Sequence, residues 1–203
     1  VNVIAKGYSG LREENLRKIL RILNADCMPY VPGDGSVGCS GDLAPSAHVA
    51  LGLMGEGLMW NPSNHHYELA IKVLKEHNLE PIELSAKEGL AMINGTQLIA
   101  SLGSEAIVRA RLLALQADVI AAITMEALRS VPDAFQEEVH LIRGQQGQVD
   151  SAERIRLMMH NALDPSELYV HSPHNVQDAY SIRCTPQVHG IALDTLEFVE
   201  NII

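Results

Sequence analysis

Over most of this 203-residue chain, apolar and polar positions alternate with the period of an α-helix. In residues 10–25, Leu16, Ile19, Leu20 and Leu23 fall on one stripe. Glu13 and Glu14 stand in the first turn, where the helix dipole favours carboxylates, and Ser9 stands where an N-cap is expected. Pro29 and Pro32 bracket an extended connector into a glycine-rich loop. Pro45 suits the first turn of a small-residue helix that runs to about Gly55. Asn61 to Asn64 reads as a turn, and residues 66–77 as an exposed helix with Glu68–Lys72 and Lys72–Glu76 at i,i+4.

From Thr96 to Val131 the pattern is one unbroken helix, ended by Pro132. At about 1.5 Å per residue it is about 54 Å long, against a diameter near 43 Å for a compact globule of this length. It is apolar on more than one side: Ile99, Leu102, Ala106, Leu113 and Ile120 on one, Leu112, Leu115, Val119 and Ile123 on another. Such a helix packs among other helices. Residues 134–143 and 151–162 read as shorter helices, the Gly/Gln-rich segment 144–150 as a loop, and the aperiodic stretch 164–176 as another. A helical pattern resumes at Tyr180, with Pro186 interrupting or kinking it.

Composition sharpens this picture in a few places. Apolar residues make up 47% of the chain, enough for a substantial core, while aromatics make up only 4%, which favours close-packed helices over a sheet sandwich. A formal charge of −10 argues against a nucleic-acid partner, which calls for a basic face. Three widely spaced cysteines, Cys27, Cys39 and Cys184, suit reduced thiols in a cytosolic protein. No uninterrupted apolar run has membrane length. The sequence starts at Val1 inside an apolar stretch and stops at Ile203 in mid-pattern, so it reads as an internal piece of a longer polypeptide.

The stretch Gly35-Ser36-Val37-Gly38-Cys39-Ser40-Gly41-Asp42-Leu43-Ala44-Pro45 carries the chemistry. A small residue, a serine and a glycine in a row can cyclise. Attack of Gly41 N on the Cys39 carbonyl carbon with loss of water closes an imidazolone. Loss of a second water from Ser40 then makes its Cβ an exocyclic methylidene, an electron-poor alkene. Gly41 suits the attacking position because it lacks a Cβ. The simpler reading is a flexible glycine turn. Gly33 to Gly38 also matches the dinucleotide fingerprint G-x-G-x-x-G, but the prolines before it spoil the strand that fingerprint needs, and no Lys-Ser/Thr follows for a phosphate loop. Gly38-Cys39-Ser40-Gly41-Asp42 falls short of a hydrolase elbow, because Asp42 stands where the last glycine belongs.

Four collinear motifs together give this chain a family resemblance: Ala5-Lys6-Gly7-Tyr8-Ser9-Gly10, the Gly35–Pro45 run, Lys87 to Gln97, and Val176 to Cys184. It resembles the aromatic amino acid ammonia-lyases over essentially its whole length. Gln97, Cys184 and Pro186-Gln187-Val188-His189-Gly190 look most like the branch that acts on histidine. The resemblance implies a fumarase/aspartase-like bundle of long helices, of which 96–203 would form part. Residues 1–60 would hold the ring-forming loop and 61–95 a connection. It also implies elimination of ammonia to a trans-acrylate (urocanate for histidine), a homotetramer, and a 4-methylidene-imidazol-5-one (MIO) group made from Cys39, Ser40 and Gly41 with no external cofactor. Phenylalanine or tyrosine lyases, aminomutases and a non-catalytic helical module are the alternatives.

Residue by residue, the resemblance puts Asn94 beside the ring and the substrate carboxylate, Arg183 on that carboxylate, Gln177 and Tyr180 around ring and substrate, and Leu90 among the substrate-binding positions. Asp42 would shape the cyclising loop. Each has a plainer reading: Asn94 a turn residue or N-cap, Arg183 a surface cation, Tyr180 a half-buried core tyrosine, Asp42 an N-cap, Cys39 a small buried residue. Cys39 stands where the family most often has alanine, and the ring uses only its carbonyl. His171 and His174, and the adjacent His65 and His66, lack further ligands nearby, so no metal is expected.

Overall fold

The computed structural model describes residues 2–159 and 176–203. It is mostly helical and divides into two compact units, Val1–Ser101 and Leu102–Ile203.

The first unit contains α1 (Asn2–Ala5), α2 (Glu13–Asn24), α3 (Leu43–Leu53), a hairpin of β1 (Leu58–Asn61) and β2 (His66–Leu69), α4 (Ala70–Glu76) and α5 (Glu88–Ile93). Its core joins Ile22, Cys27, Leu53, Met59, Val73, Leu74 and Ile82. The stripe expected on α2 is only partly covered: Leu23 is exposed, and the most buried positions are Ile22 and Asn15. Asn15 is drawn inward by a hydrogen-bonding centre rather than by apolar packing.

That centre is Glu88, which is 1% exposed. One carboxylate oxygen accepts from Arg12 N at 2.8 Å; the other accepts from Arg12 Nε at 3.1 Å and Ser85 N at 2.7 Å. Asn15 Nδ2 donates to both oxygens at 3.2 Å and to Glu83 O at 2.9 Å. Arg12 occupies the N-cap position of α2, so a carboxylate from 76 residues away does the capping expected of Ser9.

The Arg12 guanidinium, helped by the Ser85 amide, holds the Glu88 carboxyl down at about 2, below the ordinary carboxylate value. A carboxylate whose folded pKa is depressed stabilises the fold above its unfolded value of about 4.3 and loses that contribution as pH falls toward the folded value. Wild-type stability should therefore fall between about pH 5 and pH 2. Glu88→Gln should be less stable at pH 7 by about 1–3 kcal/mol, with the gap closing across that window. Urea unfolding midpoints of the two proteins from pH 7 to pH 2 check this, and a constant gap would refute it.

Residues 66–69 form a strand rather than the start of a helix, and the helix that follows is core rather than exposed: Ala70, Val73 and Leu74 are fully buried. The hairpin pairs Leu58 with Leu69 and Asn61 with His66. Asn61, wholly buried, organises it: its amide donates to Glu68 at 2.9 Å and Glu76 at 3.0 Å, and its carbonyl accepts from Ser63 N at 3.0 Å. Pro29 bridges to Met59, which makes the proline connector a third, short partner of the hairpin.

Helix α6 runs Gln97–Leu128, about 48 Å at 1.5 Å per residue. Arg129 adopts a left-handed φ of 52° and Ser130 N bonds back to Met125 O, so the helix ends before Pro132 is reached. The apolar faces read from its sequence are present. Leu112, Leu113, Ile120 and Ile123 are nevertheless more than half exposed, so this chain alone does not cover them.

The second unit takes α6 from Leu102 onward, a 3₁₀ turn (Pro132–Phe135), α7 (Glu137–Leu141), α8 (Gln146–Met159), α9 (Tyr180–Arg183) and α10 (Thr185–Ile202). Residues 146–150, read as a loop, are the first turn of α8. Helices α8 and α10 meet backbone to backbone: a Cβ on Gly147 would lie 2.3 Å from Gly190 O, and one on Gly190 2.3 Å from Gln148 N. Pro186 sits in the first turn of α10, after a break at Cys184. The expected loop at 164–176, with His171 and His174, lies almost wholly outside the described residues.

Two buried polar centres hold this unit beside the apolar cluster of Ala122, Met125, Phe135, Ile155 and Met159. Asp118 on α6, with no exposed surface, accepts from Ser151 Oγ at 2.6 Å and Arg154 Nε at 2.8 Å, both on α8, and lies 2.8 Å from His189 Nδ1 on α10. His140, also fully buried, lies between Ala134 O at 3.0 Å and Gln148 Nε2 at 2.9 Å. Burial pushes its imidazole pKa down, so it is held neutral, with Nε2–H donating to Ala134 O.

Candidate functional site

The candidate residues fall into two groups, one in each unit. In the first, Gly35 and Gly38 take φ values of 135° and 68°, which turn the loop where a side chain would be strained. Asp42, 1% exposed, pins the turn. Its Oδ2 accepts from Ser36 Oγ at 2.5 Å and its Oδ1 from Val37 N at 3.1 Å, while Ser36 Oγ accepts from Gly38 N at 3.2 Å. Asp42 occupies the N-cap position of α3, yet its carboxylate makes no cap bond and serves the loop instead. The result is a fixed base beneath an open crest. Cys39 and Ser40 are exposed, so Cys39 is not the small buried residue of the plainer reading.

Asn94 ends α5 in an extended conformation, φ −95° and ψ 106°, rather than capping the start of a helix. A Cβ on Gly41 would lie 2.8 Å from Asn94 Oδ1, so the amide of Asn94 occupies the space that a side chain at 41 would need. Leu90, one turn earlier on α5, accepts from Asn94 N at 3.0 Å and is about half exposed. The loop and the end of α5 thus bring Ser40, Gly41, Asp42, Asn94 and Leu90 into one neighbourhood. The Lys87–Gln97 motif carries Glu88 as well, the residue whose carboxylate ties α5 to α2. Its acidic position in the first turn of α5 was the available signal for that role, and the pattern alone did not single it out.

In the second unit, Asp178 Oδ2 accepts from Val131 N at 2.6 Å and anchors the 176–184 segment to the turn after α6. Tyr180 and Arg183 share a face of α9. The guanidinium carbon lies 4.3 Å from the centre of the Tyr180 ring, a cation–π contact. Tyr180 is 73% exposed, which excludes a half-buried core tyrosine. A cavity of about 370 Å³ is lined by Ala134, Val139, Gln177, Asp178, Arg183 and Gln187, among others. Its polar lining sets the guanidinium of Arg183 and the amides of Gln177 and Gln187 beside the carboxylates of Asp133 and Asp178. Gln187 was read from the sequence only as part of the Pro186–Gly190 motif and given no site role. Among the described residues, no group of three or more His, Cys, Asp or Glu is placed to hold a metal ion, and no helix is long and apolar enough to cross a membrane.

Comparison with known proteins adds an independent line. A family model described as aromatic amino acid lyase matches residues 1–203. Histidine ammonia-lyase of Caenorhabditis elegans is 50% identical over 206 residues, covering all of this chain and 30% of that protein. The crystal structure of histidine ammonia-lyase from Trypanosoma cruzi superposes with a TM-score of 0.82 at 46% identity, over 97% of this chain and 35% of that one. A tyrosine aminomutase from Streptomyces globisporus superposes with a TM-score of 0.82 at 37% identity, over 97% and 40%. The chain therefore spans about a third of the length of the curated relatives it matches. The fold is the fumarase/aspartase-like helical fold of these lyases, of which this chain covers a part.

Proposed function

Since this chain belongs to the aromatic amino acid lyase family, we propose that it supplies the electrophile-forming loop and the carboxylate clamp of an enzyme that eliminates ammonia from L-histidine to give trans-urocanate. The observation that carries this reading is the turn at Ser40 and Gly41, pinned at its base by Asp42 and closed against Asn94 Oδ1, which a Cβ at position 41 would approach to 2.8 Å. That pocket suits an MIO group made from Cys39, Ser40 and Gly41. Gly41 N is free of a hindering Cβ, Ser40 is open to lose its hydroxyl, and the side chain of Cys39 points to no role in the ring. When present, the group supplies an electron-poor alkene that withdraws electrons from the bound amino acid.

The other residues would serve the same reaction, each from its own unit. Asp42 holds Ser36 and Val37 at the base of the loop that carries Cys39, Ser40 and Gly41, which lowers the ordering cost of cyclisation. Asn94 orients the Gly41 edge of the turn through its amide. Arg183 binds the substrate α-carboxylate with its guanidinium fork. Tyr180 and Gln177 stand beside that clamp with polar groups for the substrate, and Leu90 offers an apolar surface to the aromatic ring. The reaction balances as amino acid to acrylate plus ammonium, with the β-hydrogen leaving as the proton that ammonia carries away. Histidine is favoured over other aromatic substrates by the identities of about 50% to histidine ammonia-lyases. The uncovered apolar faces of α6 support a homotetramer that buries them, and the reduced cysteines support a cytosolic setting.

Intact mass and a substrate assay test this together. The protein carrying this sequence should show a deficit of two waters, mapped to the peptide with Cys39, Ser40 and Gly41, and should release urocanate from L-histidine. Full unmodified mass would overturn the electrophile. A mass deficit with turnover of tyrosine or phenylalanine alone would move the assignment to the neighbouring lyases or aminomutases.

A further inference from the structure

Helix α9 has four residues, too few to hold a direction of its own, since a helix gains cooperative stability only over several turns. Contacts from outside must therefore aim the side chains it carries. Three are present. At its end the backbone runs on into α10, with Cys184 N bonded to Tyr180 O at 2.8 Å and Val188 N to Cys184 O at 3.1 Å. In its middle Ile182 packs against the cluster of Ala122, Met125, Phe135, Ile155 and Met159. At its start Asp178, the residue before the N-cap Ala179, accepts through Oδ2 from Val131 N at 2.6 Å. Val131 stands between the end of α6 and the 3₁₀ turn, so neither element uses its N–H, and a backbone donor needs a partner. Both ends of this tether line the cavity of about 370 Å³ that Arg183 also lines.

We infer that Asp178 is a positioning residue for Arg183. By tying the start of α9 to the turn after α6, it fixes the direction in which the helix presents Arg183 and the Tyr180 ring stacked on it, 4.3 Å from guanidinium carbon to ring centre. An arginine already held in place loses less freedom when it binds a carboxylate. The partner of Asp178 is a neutral backbone amide, so the tether needs an acceptor oxygen at position 178 and not a charge. The inference rests on the reading of Arg183 as the carboxylate clamp; the tether itself does not.

The experiment breaks the tether from each side in the protein carrying this sequence. Asp178→Ala removes the acceptor. Val131→Pro removes the donor, at a residue whose φ of −78° already suits proline, and carries the test if Asp178→Ala does not fold. Asp178→Asn keeps an acceptor oxygen without the charge. The Ala and Pro variants should each raise KM for L-histidine about tenfold and change kcat less than about twofold, because the clamp binds ground and transition states alike. The double variant should be no worse than either single one, since both remove the same bond. The Asn variant should keep KM within about twofold of the unmutated protein. Crystal structures supply a readout that needs no substrate: α9 and the Arg183 guanidinium should shift in the Ala and Pro variants and stay in place in the Asn variant. An unchanged KM on breaking the tether, effects that multiply in the double variant, or an Asn variant as damaged as the Ala variant would overturn the inference. So would an α9 that does not move, whether or not the protein turns over substrate. A protein that shows the shift but acts on no aromatic amino acid would instead overturn the lyase reading and leave the positioning role standing.

Discussion

Gly41→Ala is expected to leave the loop uncyclised and to lower turnover on the order of a thousandfold, about 4 kcal/mol of transition-state stabilisation. The added methyl would lie 2.8 Å from Asn94 Oδ1, well inside contact distance. That oxygen is the far end of a side chain, so the fold can yield by turning Asn94 away, and the stability cost should be small. The chemistry cannot yield in the same way. The methyl crowds the nitrogen that must approach the Cys39 carbonyl, and displacing Asn94 removes the amide that closes the turn. Intact mass and kcat, measured beside the melting temperature, separate these effects. The expected variant has full unmodified mass, a melting temperature close to that of the unmutated protein, and almost no activity. A variant that still lost two waters would show that the Gly41–Asn94 contact does not govern cyclisation.

Asp118→Ala should cost about 3–5 kcal/mol of stability, the range for removing one partner of a buried charged cluster. The loss comes less from the net worth of the ion pair than from what is left behind. Ser151 Oγ, Arg154 Nε and His189 Nδ1 each lose their acceptor, in a place where Asp118 has no exposure to water. Because these groups lie on α8 and α10, the damage should spread to the packing of both helices against α6. Asp118→Asn keeps one acceptor oxygen but no charge, so its cost should be about half. Urea midpoints for the three proteins test this, and an Ala variant within about 1 kcal/mol of the unmutated protein would reduce the cluster to a surface-like pairing.

Much of the helical layout was legible because periodicity records burial directly. Helices α2 and α6 appear close to where the apolar spacing places them, and the two-faced apolar pattern of α6 is real. The hairpin was not legible. Glu68, Lys72 and Glu76 have helical spacing, and Glu68 does pair with Lys72, but from the end of a strand onto the start of a helix. Strands of four residues carry too short a period to compete with that signal, and what stabilises them, buried Asn61 and the bridge to Pro29, comes from elsewhere in the chain. Likewise Gln146-Gly147-Gln148 has the composition of a loop. Glycine stands there because the backbone of Gly190 leaves no room for a Cβ, a constraint of helix packing that overrides local propensity.

The site divides along the same line. Which residues would build the proposed electrophile was readable in order along the chain, because such a cyclisation joins neighbours and depends on residue types: a serine to lose water, a glycine to attack, a small residue before them. Arg183, the proposed carboxylate clamp, could be named only through the motif that contains it. What local sequence could not carry was support from a distance: Asp42 spending its carboxylate on Ser36 and Val37 instead of on its own helix, Asn94 filling the space beside Gly41, Glu88 capping α2 across 76 residues, Asp118 drawing three helices together. Reactive groups follow from covalent neighbourhood. Their orientation follows from buried polar atoms, which must find partners wherever the folded chain brings one within reach.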